Sequence, residues 1–280
     1  MNILFLSFLL VLALGLTFGL SIWIYYNNNK RSPYTPPDIE NIHVKIQENI
    51  SPSDIEDVYI PKVVYMTYHD IDGIPKYVMD NIKKYCSGYS VEIYGDKMCE
   101  DFLLKYYGID AVKIFRDLNV GAHKADFWRY CILYVKGGYY FDIKTYFKKH
   151  IDDIFKVDRP KKWYTVLSIL DKTIYNGIIV TPSHNSILWE CILAIYKNVS
   201  HLQKNYFFNT EIMYKLIQNK CYSPIHVGTN QQDNEWNCEL FQEVCIKGDD
   251  RYGFSCHIQD YQKNLLFNTR YNDFPWPKSS

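Results

Sequence analysis

The stretch Gly121–Thr145, GAHKADFWRYCILYVKGGYYFDIKT, constrains this chain more than any other part of it. Ala122–Lys136 reads as a helix. Gly137-Gly138 ends it, because glycine takes the left-handed C-cap conformation with little penalty. Phe127, Cys131 and Tyr134 form one apolar stripe, while Asp126, Arg129 and Tyr130 come together at i, i+3 and i+4. Tyr139–Phe141 is then a short strand with Asp142 at its carboxyl end. A helix, a glycine turn and a strand in this order are the parts of an α/β domain.

The preceding residues repeat the alternation. Lys62–Met66 is a short β-branched and apolar run. Ile74–Cys86 reads as a helix with Ile74, Val78, Ile82 and Tyr85 on one face. Ser90–Tyr94 reads as a second strand, and Asp96 is placed to cap a helix running to about Tyr106. The expected fold is therefore α/β, with a mainly parallel sheet flanked by helices. Its ligands would lie beyond the carboxyl ends of the strands.

Composition narrows the function. Lys+Arg and Asp+Glu both total 31, so there is no basic footprint for nucleic acid. Hydrophobic residues at 48% and charged residues at 22% exclude a disordered chain. The 26 tyrosines suit sugar-binding surfaces and ordinary cores alike. The eight cysteines contain no C-x-x-C pair, which argues against a zinc ribbon and leaves disulfides and buried thiols both open. The sequons at Asn49 and Asn198 do not fix a compartment, since an Asn-rich chain contains such triplets by chance.

Ile3–Ile24 contains no charge. As a helix it would span about 33 Å, enough to cross a bilayer core. Trp23, Tyr25 and Tyr26 fall where an interfacial aromatic belt would lie. The expected organisation is a transmembrane anchor over 1–26, a stalk over 27–59 rich in Asn and Pro, and a catalytic domain over 60–280. Lys30 and Arg31, after the apolar run, are too few to set its orientation.

The segment around Asp142 resembles the GT32-type glycosyltransferases, the group of initiating mannosyltransferases and capsular-polysaccharide sugar transferases. That group shows an Ala-x-x-x-Asp-x-x-Arg-Tyr helix, a Gly-Gly-x-Tyr turn and Asp-x-Asp. The matching residues are Ala122, Asp126, Arg129, Tyr130, Gly137, Gly138, Tyr140 and Asp142. The resemblance runs back to Ile60-Pro61-Lys62 and forward to Tyr175-Asn176-Gly177 and Thr181-Pro182-x-His184. It implies a GT-A-like, Rossmann-like domain that moves a hexose or N-acetylhexosamine, with retention, from a UDP- or GDP-sugar to a glycan, glycolipid or glycoprotein acceptor. It also implies a location at a membrane, in a secretory compartment or at a viral or host membrane.

As site residues the resemblance implies Asp142 as the catalytic carboxylate. Ala122, Asp126, Arg129, Gly138, Asp142, Lys144 and Asn176 would bind the donor. A divalent cation, Mn²⁺ or Mg²⁺, would sit on Asp142 with His257 as a second ligand. Lys144 departs from the pattern, because it stands at the second acidic position and a protonated lysine ligates no metal. If the strand continued past Phe141, Asp142 and Lys144 would share a face. Taken alone, Asp126 and Arg129 read as a surface ion pair worth a few tenths of a kcal/mol, roughly. Two other functions compete: a glycosyltransferase fold without catalysis that serves as a membrane-bound scaffold, and a metal-dependent hydrolase built on His69, Asp70 and Asp72.

Overall fold

Strands that are apolar along their whole length, rather than alternating, are buried on both faces. Ile178–Val180 is such a run, and Trp163–Val166 interrupts its apolar residues only with Thr165; both are fully buried. The computed structural model describes residues 59–156, 160–202, 204–233, 236–247 and 254–271. The anchor and stalk expected over 1–58 lie outside the described residues. Among the described residues no helix is long and apolar enough to cross a membrane.

The strands are β1 (Val63–Thr67), β2 (Ser90–Tyr94), β3 (Gly138–Phe141), β4 (Tyr146–Phe147), β5 (Lys162–Leu167), β6 (Ile174–Thr181), β7 (Gly228–Gln231), β8 (Asn237–Lys247), β9 (Phe254–Gln259) and β10 (Leu265–Asn268). They form one ten-stranded sheet in the order β2-β1-β3-β6-β5-β8-β9-β10-β4, with β7 paired to β8. Among the described residues the parallel pairs are β1·β2, β1·β3 and β5·β8. The sheet is thus mixed, which corrects the mainly parallel expectation. The reason lies in the connection 168–173. A parallel return needs a crossover of about a dozen residues or more, so the short link forces β6 back antiparallel to β5. β6 then inserts between β3 and β5. β2, β1, β3, β5 and β8 still run in one direction, so their carboxyl ends share one edge of the sheet.

The helices are α1 (Lys76–Tyr85), α2 (Asp96–Tyr107), α3 (Ile109–Asp117), α4 (Gly121–Lys136), α5 (Ile151–Ile154), α6 (Ser186–Leu202) and α7 (Phe208–Lys220). Asp96 is the first residue of α2 rather than its cap, which is Gly95. One face of the sheet packs on α2, α3, α4, α6 and α7 through Tyr140, Trp163, Ile179 and Leu240. The other face carries Phe141, Tyr164, Val180 and Phe241, covered by α1, α5, β4 and β10. α4 lies innermost. Phe127, Trp128, Tyr130, Cys131 and Leu133 are all within 0% exposure, so this helix is buried well beyond the single stripe the sequence suggests.

Gly137 and Gly138 do more than end α4. Gly137 has φ +62 and caps the helix, its N–H donating to Leu133. A Cβ on Gly138, at φ +114, would lie 2.9 Å from the Val63 carbonyl oxygen, so the glycine lets β3 close against β1. The Thr181-Pro182-x-His184 stretch serves the same corner, with the His184 N–H donating to the Tyr134 carbonyl at 2.8 Å.

Candidate functional site

Arg129 is held on every side. It projects from the third turn of the buried helix α4, and its side chain is 4% exposed. Its Nη2 lies 3.3 Å from Asp126 Oδ1 and 3.1 Å from Asp142 Oδ1, so one nitrogen is shared by two carboxylates. Its Nη1 donates to the Asn176 backbone oxygen at 2.5 Å and to Asn176 Oδ1 at 3.3 Å. Its Nε donates to the Ala125 carbonyl at 3.1 Å. The guanidinium stacks over the Tyr140 ring, 4.3 Å from the centroid. The surface-pair reading of Asp126 and Arg129 is therefore corrected. With both groups buried, removing one partner would strand a charge in low dielectric, at a cost of about 3–5 kcal/mol.

A second ring of contacts fixes those partners. Asn209 Nδ2 donates to Asp126 Oδ2 at 3.0 Å, and Asn176 Nδ2 donates to the Tyr130 hydroxyl at 2.7 Å. Tyr140 donates its hydroxyl to Asp142 Oδ1 at 3.2 Å and meets Thr67 Oγ1 at 3.2 Å. Asp142 donates its backbone N–H to the Gly177 carbonyl at 2.8 Å. A Cβ on Gly177 would lie 2.7 Å from Asp142 Oδ2 and 2.8 Å from the Tyr175 hydroxyl, so any larger residue there would displace one of those side chains.

The two carboxyls are pulled in opposite directions. Burial raises the Asp126 carboxyl above its ordinary range, outweighing Arg129 and Asn209. Burial also works against the charged form of Asp142, but Arg129 and Lys144 together overcome it and hold that carboxyl below its ordinary range. Asp142 is thus ionised throughout neutral pH and, at 19% side-chain exposure, remains within reach of a ligand.

The strand does not continue past Phe141, contrary to the extended reading. The chain turns, with the Thr145 N–H donating to the Asp142 carbonyl at 2.8 Å. The turn nevertheless brings Lys144 Nζ to 3.6 Å from Asp142 Oδ2.

Two cavities meet at this point. The first, of about 500 Å³, lies beyond the carboxyl ends of β1, β2 and β3 and is lined by Tyr68, Asp96, Phe115, Lys124 and Trp128. The second, of about 440 Å³, is lined by Asp126, Tyr175, Asn176, Phe207, Thr210 and Glu243. Ala122, Arg129, Asp142 and Lys144 line both. The structure therefore brings together six of the residues singled out from sequence: Ala122, Asp126, Arg129, Asp142, Lys144 and Asn176. Gly138 and His257 line neither cavity. Gly138 serves strand packing. His257 pairs in register with Val244 and Asn268. Its neighbour Cys256 borders the second cavity, so strand alternation turns His257 to the other side of the sheet.

Asp142 offers a poor set of ligands for a divalent cation. Mn²⁺ and Mg²⁺ need several open oxygens in near-octahedral array. One Asp142 oxygen is taken by Arg129 and Tyr140, and the other faces Lys144. Among the described residues the group with metal-ligand proximity is Glu243, Cys245 and Cys256, and its two sulfurs are joined as a disulfide. The residues present do not fit a divalent cation at Asp142. His69, Asp70 and Asp72 form no such group either. Asp70 caps the 3₁₀ turn Ile71–Gly73, its Oδ1 accepting from the Gly73 N–H at 3.1 Å, and all three are exposed.

Sequence reasoning missed Gly177, Asn209, Trp128 and Glu243. Gly177 stood beside Asn176 in a quoted motif, and its signal was readable as a close approach. Trp128 lay inside the helix motif without a marked role. Asn209 and Glu243 come from distant segments and carried no local signal. Glu243 Oε2 accepts from Ser168 Oγ at 2.8 Å and from the Ile169 N–H at 3.1 Å, which fixes the β5–β6 connection beside the second cavity.

Residues 84–160 match a protein-family model described as "Glycosyltransferase sugar-binding region containing DXD motif". The matched stretch holds α4, β3 and Asp142. The stretch contains no literal Asp-x-Asp, and the resemblance set out above assigns that position to Asp142-Ile143-Lys144. Among solved structures, one titled "PaToxG Glycosyltransferase" is similar, with a TM-score of 0.46 and 14% identity over 65% of this chain and 80% of that one. The search of curated proteins found no match.

Proposed function

We propose that this chain transfers a sugar from a nucleoside diphosphate donor to an acceptor hydroxyl. The match of residues 84–160 to a glycosyltransferase sugar-binding region is the premise. The observation that carries the proposal is the placement of Asp142, an ionised carboxylate locked by Arg129 in the wall that two cavities share. One cavity suits the nucleotide, with Tyr68, Phe115 and Trp128 offering aromatic surface. The other suits the acceptor, and Asn176 and Thr210 offer it polar groups.

In the transfer, the bond from the sugar anomeric carbon to the diphosphate oxygen breaks, and the nucleoside diphosphate leaves with the bonding pair. The acceptor oxygen bonds to that carbon and passes its proton to the departing diphosphate oxygen. The anomeric carbon gains positive character as the leaving group departs. A fixed carboxylate at that point stabilises it without reorganising. Asp142 takes this role or accepts from donor hydroxyls. Arg129, buried behind it, is the positioning residue, and Asp126 and Asn176 hold Arg129. Ala122, small and at the start of α4, leaves room between the cavities. The reading includes a UDP- or GDP-hexose or N-acetylhexosamine donor, retention at the anomeric carbon, and a glycan, glycolipid or glycoprotein acceptor. It also includes a bilayer anchor over 1–26, motivated by the uncharged run Ile3–Ile24.

The test is a panel of UDP- and GDP-sugars, scored by thermal shift and by release of free sugar, since a ligand that binds only the folded state raises its apparent stability. Stabilisation with slow sugar release is the expected result. Stabilisation with no release, even with added acceptors, would select the non-catalytic scaffold. No stabilisation by any donor would overturn the reading. Membrane fractionation of the full chain and of a form lacking residues 1–30 tests the anchor, which fails if the intact chain is wholly soluble.

A further inference from the structure

Resting on the donor reading above, we infer that the Lys144 ammonium takes the place of a divalent cation in neutralising the donor diphosphate. The argument begins with charge. Asp126, Asp142, Arg129 and Lys144 form two negative and two positive groups around one point. The cluster is balanced before any ligand arrives. A divalent cation at Asp142 would add charge beside two cations, and the second carboxylate, Asp126, is already held by Arg129 and Asn209. A diphosphate would bring the opposite charge, and a cation must meet it.

Geometry decides which cation. Arg129 is 4% exposed and committed on all three nitrogens. It cannot turn toward a ligand without stranding Asp126. Lys144 has a side chain 29% exposed, and it lines both cavities. Its Nζ stands 3.6 Å from Asp142 Oδ2, so phosphate oxygens bound beside that carboxylate lie within reach of the ammonium. A lysine is a compact point charge on a flexible stem, suited to phosphate. Lys124 adds a second positive group on the nucleotide side, with a side chain 27% exposed and its Nζ 3.9 Å from Asp96 Oδ2. The turn that ends β3 therefore supplies, in one residue, the positive charge that an acidic residue at position 144 would have had to recruit as metal.

The experiment uses the full chain in mild detergent, with UDP and GDP as probes. Calorimetric affinity is measured in EDTA and in MnCl₂ for the wild type, Lys144→Ala, Lys144→Arg and Lys144→Asp. Thermal unfolding confirms that each variant is folded. The wild type is expected to bind one of the two nucleotides equally well in both buffers. Lys144→Ala should weaken it by about 10- to 100-fold, the range for a hydrogen bond to a charged group. Lys144→Arg should keep most of the affinity. Lys144→Asp should bind only when Mn²⁺ is present. Manganese EPR on the wild type with nucleotide should show the free-ion signal undiminished. Wild-type binding that disappears in EDTA and returns with Mn²⁺ would overturn the inference, as would unchanged affinity in folded Lys144→Ala. If neither nucleotide binds the folded wild type in either buffer, the donor reading itself falls, and the inference with it.

Discussion

The two cavities that meet at Asp142 are walled by very different lengths of chain. The first takes its walls from Thr67 to Lys144, a run dominated by β1, α2, α3 and α4. The second takes them from Ala122 to Cys256, through the β5–β6 connection, the start of α7 and the β8–β9 hairpin. Most of the first lies within residues 84–160, the stretch that the family model matches. The second draws most of its walls from residues beyond that stretch. A nucleoside diphosphate is the same chemical object for every donor of its class, so its site can be short and local. An acceptor varies, and loops distant in sequence can vary with it.

The sharpest way to break this comparison is to remove the wall itself. Arg129→Met is expected to cost about 3–5 kcal/mol of stability in urea unfolding, because Asp126 and Asp142 lose their shared cation. Adding Asp126→Asn should recover part of that loss. A cost below about 1 kcal/mol would mean that the cluster is solvated and the cavities are not separated by a fixed wall.

Next in size is Asp142→Asn. The amide keeps the shape and removes the charge, and turnover should fall by about 100-fold or more, some 2.7 kcal/mol. Its pH signature has a definite sign. The folded-state value of Asp142 is depressed, so its stabilising contribution is present above the ordinary carboxylate range and through neutral pH. It is lost as pH falls through the depressed value. Asp126 is raised, so its ionisation opposes folding above the ordinary range. Acid unfolding of Asp142→Asn should therefore lack a component that the wild type shows, whereas Asp126→Asn should retain it. Equal profiles in all three proteins would contradict these assignments.

A smaller effect separates the cavities directly. Tyr68 lines only the first and Phe207 only the second. Tyr68→Ala should weaken donor binding by about 1 kcal/mol, roughly fivefold, with little change in acceptor KM. Phe207→Ala should do the reverse. Exchange of the two outcomes would swap the cavity roles. The smallest effect concerns the Cys245–Cys256 disulfide, which borders only the second cavity. Reduction by dithiothreitol should alter acceptor KM a few-fold, roughly one hydrogen bond's worth, and leave nucleotide affinity unchanged. A loss of nucleotide affinity on reduction would show that the cavities are coupled.

What the sequence determined by itself is local. The glycine stop after α4, the short strand β3 and the Asp142 that follows it were all readable, because each depends on neighbours within a few residues. β1 to α2 were readable for the same reason, to within a residue or two at their ends. The i, i+3, i+4 spacing placed Asp126, Arg129 and Tyr130 on one face, but spacing says nothing of burial. Only the packing of α6, α7 and the sheet around α4 turned a weak surface pair into a buried charge cluster. The antiparallel entry of β6 was decided by a connection too short for a crossover, and it is β6 that delivers Asn176 and Gly177 to Arg129 and Asp142. The same is true of Lys144 and His257, which the sequence could only offer as candidates. A three-residue turn brought Lys144 to Asp142, and strand register carried His257 to the far side of the sheet. Contacts between residues tens of positions apart depend on how whole elements stack, and no local pattern encodes that.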